Sequence, residues 1–256
     1  MLSWGGAGRL HWMGRWSWPW QQKPPLSPFS ETGLEASAPW LAHELTPQYK
    51  LRLELEFSHQ QLSQSTGDGE SHSRHRLRLQ WFWLDPNGTD AVLTGFCSST
   101  AAHCSLHSTT MVDCVEVVSG GAVEDLRALL MEHYATTREG RMERLQQRYG
   151  YELTILLYMA RADTLLQQRE KQLVAGYLAA RAPELGFSSD ELAPQLRWLN
   201  TPSCEDFHHA LAQIRTLDGE RTAELFNTCE AVVDVKATRD GQEQPALDAL
   251  RAILLG

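Results

Sequence analysis

The sequence predicts an α+β protein of two modules, a small antiparallel β-barrel followed by an all-α helical bundle. Apolar and polar residues alternate from Tyr49 onward, as they do in half-buried strands. From Val123 to Leu255 the apolar residues instead recur with the spacing of one helix face. A length of 256 residues fits two small modules of this kind.

Residues 1–46 form the first segment, a Trp- and Pro-rich arm without helical or strand periodicity. We expect it to be poorly ordered. Its tryptophans either dock a partner or pack on the folded body. The arm lacks the continuous apolar core and cleavage site of a signal peptide, and no apolar run approaches the roughly 20 residues of a membrane-spanning helix. These features predict a cytoplasmic protein without a membrane span.

The strands are predicted between residues 47 and 121. The first two strands are long alternating runs, and their apolar sides consist of Leu51, Leu53, Leu55 and Phe57, and of Leu77, Leu79, Trp81 and Trp83. The second run ends at Asp85-Pro-Asn-Gly, which is a strong turn signal. Further strands are predicted at Ala91 to Cys97 and at Met111 to Val118. Four or five short sequential strands are typical of a small barrel.

The last segment, residues 122–256, is predicted to hold six or seven helices. Two helix starts carry specific signals. Ser188 and Glu191 have the spacing of a capping box. Thr201 precedes Pro202, which places a capping hydroxyl before a proline at the first helical position. The segment therefore reads as a helical bundle.

Composition restricts the function. The formal net charge of −9 gives no general attraction to polyanions, which disfavours a nucleic-acid coat protein. Five cysteines without a CxxC pair indicate a reducing compartment. The chain has no Gly-x-Ser-x-Gly elbow, no phosphate-cradling Gly-rich loop and no His-Glu-x-x-His helix. We therefore expect a non-enzymatic protein.

Three segments of the strand region resemble the WYL domain of bacterial regulators. They are Leu93-Thr-Gly-Phe-Cys97, Cys104-Ser-Leu106 and Thr110-Met-Val-Asp-Cys-Val-Glu-Val117. The resemblance implies an Sm-like barrel over residues 47–121 and a regulator that senses a small anionic ligand.

The chain departs from the WYL pattern at the residues that carry its chemistry. The name residues of the family are replaced by Ala91, Val92 and Leu93. Its three arginines, which hold anions, are replaced by Thr100, Cys104 and Thr110. The ligand chemistry of the family is therefore degenerate or replaced in this chain.

A second resemblance lies in the helical region. Leu156-Leu-Tyr-Met-Ala-Arg-Ala-Asp163, followed by Glu170, is similar to the TerB-like domains linked to tellurite resistance and phage defence. A weaker second copy is found at Ala237-Thr-Arg-Asp240-Gly241, with Asp248 near the second acidic position. The resemblance implies a TerB-like domain over residues 122–256. Thr164 stands where that family usually has glycine.

Three sets of residues are candidate sites. Arg74, Arg76 and Arg78, together with Trp81 and Trp83, suit an anionic ligand or single-stranded nucleic acid, unless they only form a solvated strand face. Asp163, Glu170, Asp240 and Asp248 could converge on calcium or magnesium, unless Asp163 and Glu170 only stabilise helix ends. Cys97, Cys104, Cys114, His103 and His107 could bind zinc, although their spacing fits no known zinc motif and strand cysteines usually act as buried apolar residues.

These features lead to three alternative functions. The first is a bacterial accessory or sensor protein of stress response or defence that binds a small anionic ligand or a protein partner, with nucleic acid as a less favoured ligand. The second is a metal-binding stress protein in which the helical bundle acts. The third is an adaptor between proteins.

Overall fold

The computed structural model describes residues 48–59, 73–85, 89–160, 166–197, 199–214, 219–235 and 243–255. The predicted arm at residues 1–46 lies outside these ranges. The described residues divide into two compact units, a sheet unit that ends at Arg141 and a helical unit that begins at Met142. The α+β fold class is confirmed, because five antiparallel strands are followed by seven α-helices in the described part of the chain.

The sheet unit contains five strands, which are β1 (Gln48–His59), β2 (Ser73–Leu84), β3 (Ala91–Cys97), β4 (Ala102–His107) and β5 (Met111–Glu116). They are arranged in the order β4-β3-β2-β1-β5, and all neighbours are antiparallel. A 3₁₀ turn joins β4 to β5, and β5 returns to pair with β1. Over the described residues the sheet is open, with β4 and β5 as its two edges.

One face of the sheet forms the core of this unit. Its fully buried side chains include Leu55, Phe57, Leu77, Leu79, Phe82 and Leu93. Helix α1 (Leu126–Thr136) packs against this face and adds Leu130 and Tyr134 to the same core. The Tyr134 ring meets the Tyr49 ring edge-on with centroids 4.9 Å apart. Helix α1 therefore completes the core of the sheet unit.

The helical unit is built from the greater part of α2 (Arg138–Ala160) and from five further helices. These are α3 (Gln168–Arg181), α4 (Ser189–Leu196), α5 (Cys204–Ile214), α6 (Gly219–Asp234) and α7 (Glu243–Leu255). Each of them buries an apolar face, to which α5 contributes Phe207, Ala210, Leu211 and Ile214. Among the described helices none is both long and apolar enough to cross a membrane.

Side-chain caps fix the starts of two of these helices. The predicted capping box at α4 is confirmed, since Ser188 Oγ accepts the N–H of Glu191 at 3.2 Å and Glu191 accepts the N–H of Ser188 at 3.0 Å. The predicted cap of α5 is wrong by two residues. Ser203 rather than Thr201 accepts the backbone N–H of Asp206, at 3.1 Å. A serine with an acidic residue three positions later forms the reciprocal cap, and this pattern outweighs the proline signal.

Candidate functional site

Strand β2 changes its alternation after Leu79. Leu79 is buried in the core before this point, and Phe82 and Leu84 are buried in the same core after it. The pairing with β3 shifts between Leu79 and Trp81, which marks a β-bulge. Trp81 and Trp83 therefore do not point into the core, and their predicted place on the leucine side of the strand is wrong.

The bulge brings the five predicted binding residues to one side of β2, opposite to α1, which we call the outer face. These residues are Arg74, Arg76, Arg78, Trp81 and Trp83, of which the arginines are exposed and the tryptophans half-buried. Lys50 on β1 lies over Trp81, with its Nζ 5.5 Å from the ring centroid. This is a cation–π contact, and it places the indole beside a further positive charge.

Glutamates on β1 pair with all three arginines. Arg76 Nη2 lies 2.6 Å from Glu54 Oε2, and Arg78 Nε lies 3.0 Å from Glu54 Oε1. Arg74 Nε lies 2.8 Å from Glu56 Oε1. The hydrogen bonds from Arg76 and Arg78 hold the pKa of Glu54 below its ordinary value. The arginines are thus held in place by carboxylates, while 49% of the Arg76 side chain and 70% of the Arg78 side chain remain exposed.

A shallow depression lies beside these ion pairs. It is lined by Glu54, Arg76, Arg78, Phe96 and Ser98 and has a volume of about 290 Å³. The depression therefore combines two guanidinium groups, one aromatic ring and a hydroxyl group with the Glu54 carboxylate that pairs with both arginines. Such a set of groups can hold an anion together with a flat ring.

The outer face is more positive than the chain as a whole. On β1 and β2 it carries five cations, Lys50, Arg52, Arg74, Arg76 and Arg78, against two carboxylates, Glu54 and Glu56. Five minus two leaves a surplus of three positive charges, in a chain whose net charge is −9. A local positive field of this kind attracts anions even when the whole molecule does not.

The predicted metal ligands are only partly within the described residues, because Asp163 and Asp240 lie outside them. Glu170 is fully buried at the start of α3, where its Oε2 accepts the backbone N–H of Gln167 at 2.6 Å. Asp248 is exposed on α7 and bonds to Gln244 at 3.0 Å. Glu170 thus stabilises the start of α3, which is the alternative to metal binding that the sequence predicts for this residue. In the described ranges, no group of three or more His, Cys, Asp or Glu side chains could hold a metal ion.

The predicted zinc residues do not come together either. Cys104 and Cys114 pack on the core side of the sheet. His103 pairs with Phe96 on the opposite side, with ring centroids 5.6 Å apart. His107 bonds to Thr109 through Nδ1 at 2.6 Å. The cysteines and the histidines are therefore separated by the sheet.

A buried polar cluster in the helical unit is not predicted from the sequence. Glu152 on α2 is 2% exposed and accepts two hydrogen bonds from Arg221 on α6, from Nε and from Nη2, each at 2.7 Å. Tyr177 on α3 donates its hydroxyl to Glu152 at 2.9 Å. Arg221 also lies over the Tyr149 ring, with its Cζ 5.1 Å from the centroid. The cluster joins three helices through one carboxylate.

Electrostatics agree with this geometry. Burial raises the pKa of Tyr177 far above its ordinary value, and the charge of Glu152 raises it further. The hydrogen bonds to Glu152 raise the pKa of Arg221. Bidentate pairing of this kind satisfies both carboxylate oxygens. The cluster therefore stabilises the packing of α2, α3 and α6 against one another. Its residues are too far apart in the sequence for a spacing rule to predict it.

Comparisons of the chain with family models, with curated proteins and with solved structures gave no match.

Proposed function

We propose that this protein is a non-enzymatic, cytoplasmic accessory or sensor protein of bacterial stress response or defence, and that its outer face binds a small anionic ligand with a flat ring, such as a nucleotide. The observation that carries the proposal is the bulge of β2, which gathers three arginines and two tryptophans on one exposed face. Phosphate groups would bind the arginines, and the base would stack on an aromatic ring.

The proposal extends to the fold. We regard the five-stranded sheet as a degenerate WYL-like, Sm-like barrel, and the helical unit as TerB-like. Two observations support the barrel. The strand order returns β5 to β1, and both long strands carry irregularities that bend a sheet. The free thiols of all five cysteines fit a reducing compartment.

The ion pairs on the outer face leave room for a ligand. A guanidinium group has five N–H donors. Arg76 and Arg78 each donate one hydrogen bond to Glu54. Their remaining donors can reach a phosphate without breaking the pairs. Glu54 would orient the arginines but would also repel an anion at short range. Its carboxylate therefore limits the affinity.

The test is calorimetric titration of the full chain with ATP, GTP and a short single-stranded DNA. We expect a nucleotide to bind, and the double variant Arg76→Ala with Arg78→Ala to weaken binding by about tenfold or more, since a hydrogen bond to a charged group contributes about 1.5–3 kcal/mol. Glu54→Gln should strengthen binding because it removes the repelling charge.

Arg251→Ala is the matched control, because Arg251 is also 49% exposed and pairs with a glutamate, Glu230, in the helical unit. Equal loss of affinity in this control would show that only the net charge matters. Absence of binding by all three ligands, or unchanged affinity in the double variant, would overturn the proposal. Binding of the DNA but of neither nucleotide would show that the outer face recognises single-stranded nucleic acid and not a small ligand.

A further inference from the structure

One arginine of the outer face lies outside the depression and has no counter-charge. Arg52 on β1 is exposed and shares its side of the strand with Lys50 and Glu54. Glutamates pair with the three arginines of β2. In the part of the chain that the structure describes, Arg52 by contrast has neither a carboxylate partner nor a side-chain hydrogen bond. Its five N–H donors are therefore all available to an anionic ligand.

Two rows of side chains cross the outer face, one on each side of Arg52. In the first row Lys50 is opposite Trp81. In the second row Arg78 is opposite Phe96. The register of β1 against β2 shifts between these rows, and Arg52 lies on β1 within the shift. Its side chain therefore starts between the two rows, each of which holds one aromatic ring.

The two rings are separate stacking platforms. Phe96 lines the depression beside Arg78. Trp81 is half-buried, and the Nζ of Lys50 lies over one face of its ring, 5.5 Å from the centroid. Phe96 is two residues from Thr94, the partner of Trp81, and such diagonal neighbours are about 7–8 Å apart. Rings at this spacing can each stack on one base of the same ligand.

The outer face is closed beyond Trp81. Trp83 follows on the same side of β2 and is opposite Val92. Val92 is 0% exposed, although it does not belong to the core that α1 completes. Neighbouring side chains therefore cover this end of the face. A ligand that starts in the depression can extend as far as Trp81.

The size of the depression indicates that its ligand extends beyond it. The volume of about 290 Å³ is at the lower limit of ligand sites, which span roughly 300–1,000 Å³. The depression provides two guanidinium groups and one ring, which match one phosphate and one base. A ligand with a second phosphate and a second base would also reach Arg52 and Trp81.

We propose that the ligand of the outer face is a dinucleotide. Phe96 and Trp81 each stack on one base, and Arg52 holds the phosphate that joins the two nucleosides. The terminal phosphate binds Arg76 and Arg78, as in the proposed function on which this inference rests. The joining phosphate carries one negative charge and a terminal phosphate about 1.5–2. The sum, about three, matches the surplus of three positive charges on this face.

The test is calorimetric titration of the full chain with AMP, ATP and the linear dinucleotide pApA, which adds one nucleoside and the joining phosphate to AMP. We expect pApA to bind about tenfold or more tightly than AMP, because a stacked base and charge-assisted hydrogen bonds are gained. Arg52→Ala and Trp81→Ala should each weaken pApA binding by about fivefold or more. Each variant should bring the affinity for pApA close to that for AMP.

Arg127→Ala is the matched control for the lost charge. Arg127 is an exposed arginine of α1, on the other side of the sheet, and has no ion pair among the described residues. Its replacement should leave the affinity for pApA unchanged. Trp81→Phe keeps an aromatic ring and should retain most of the affinity that Trp81→Ala loses. Because Arg52 is exposed, Arg52→Ala tests the proposal even if Trp81→Ala fails to fold.

The outcomes separate the dinucleotide from the proposed function. Binding of AMP or ATP without a gain for pApA would overturn the dinucleotide and leave the proposed function standing. Absence of binding by all three ligands would overturn both. Equal weakening of AMP and pApA in Arg52→Ala would show that Arg52 does not hold the joining phosphate. An affinity that keeps rising with longer oligoadenylates would overturn the dinucleotide in favour of single-stranded nucleic acid.

Discussion

The buried pair of Glu152 and Arg221 gives the sharpest test of the helical unit. Arg221→Met removes both charge-assisted hydrogen bonds to the Glu152 carboxylate, which is 2% exposed. The Tyr177 hydroxyl then remains as the donor that the cluster provides. Breaking one side of a buried pair costs about 3–5 kcal/mol. Because 23% of the Arg221 side chain remains exposed, we expect the lower end of this range, about 3 kcal/mol.

The measurement is the thermal midpoint followed by circular dichroism of the helices. For a chain of this length, 1 kcal/mol lowers the midpoint by roughly 2–4 °C, so Arg221→Met should lower it by about 6–12 °C. Arg148→Met is the control, because Arg148 pairs with Glu184 at the surface, where the two side chains are 63% and 47% exposed. Such pairs contribute about 0–1 kcal/mol. Equal decreases of the thermal midpoint in the two variants would refute the argument that burial makes the Glu152–Arg221 pair more stabilising than a surface pair.

Three further predictions concern single residues. Gly95→Ala should lower the free energy of unfolding in urea by about 1–3 kcal/mol, because its Cβ would clash with the backbone oxygen of Arg78. Gly176→Ala, whose Cβ would meet open space, should instead raise this free energy by about 0.5–1 kcal/mol. Asp125→Ala removes the cap of α1 and should cost about 1 kcal/mol in the same assay. Burial raises the pKa of Tyr177 in the folded protein, so an unfolded tyrosine releases its proton first, at about pH 10. Stability should therefore fall as the pH rises above about 10, and thermal midpoints should show a smaller fall in Tyr177→Phe.

The strand pattern explains how far the fold was predictable. Four of the five strands are predicted near their observed positions, since leucine alternation marks β1 and β2 and β-branched residues mark β5. Strand β4 was missed, because its sequence, Ala-His-Cys-Ser-Leu-His, has only Leu106 as a fully buried residue. An edge strand needs little apolar character when one neighbour supplies all of its hydrogen bonds.

The candidate site was predictable in its residues but not in its geometry. Alternation alone places Trp81 with the leucines, because a period of two is the only information that the sequence offers there. The shift after Leu79 arises from the pairing with β3, which is a tertiary effect. The cluster of Glu152, Tyr177 and Arg221 was missed for a related reason. Its members come from three helices, and no local pattern joins them.

The bulge in β2 also has a consequence for the length of this strand. Deleting Gln80 would leave Leu79 followed directly by Trp81, so that regular alternation would keep Trp81 and Trp83 on the outer face and Phe82 and Leu84 in the core. Gln80 is therefore the extra residue, and the bulge accommodates it without turning its neighbours to the other face. A relative that lacks Gln80 should keep the same outer face on a more regular strand.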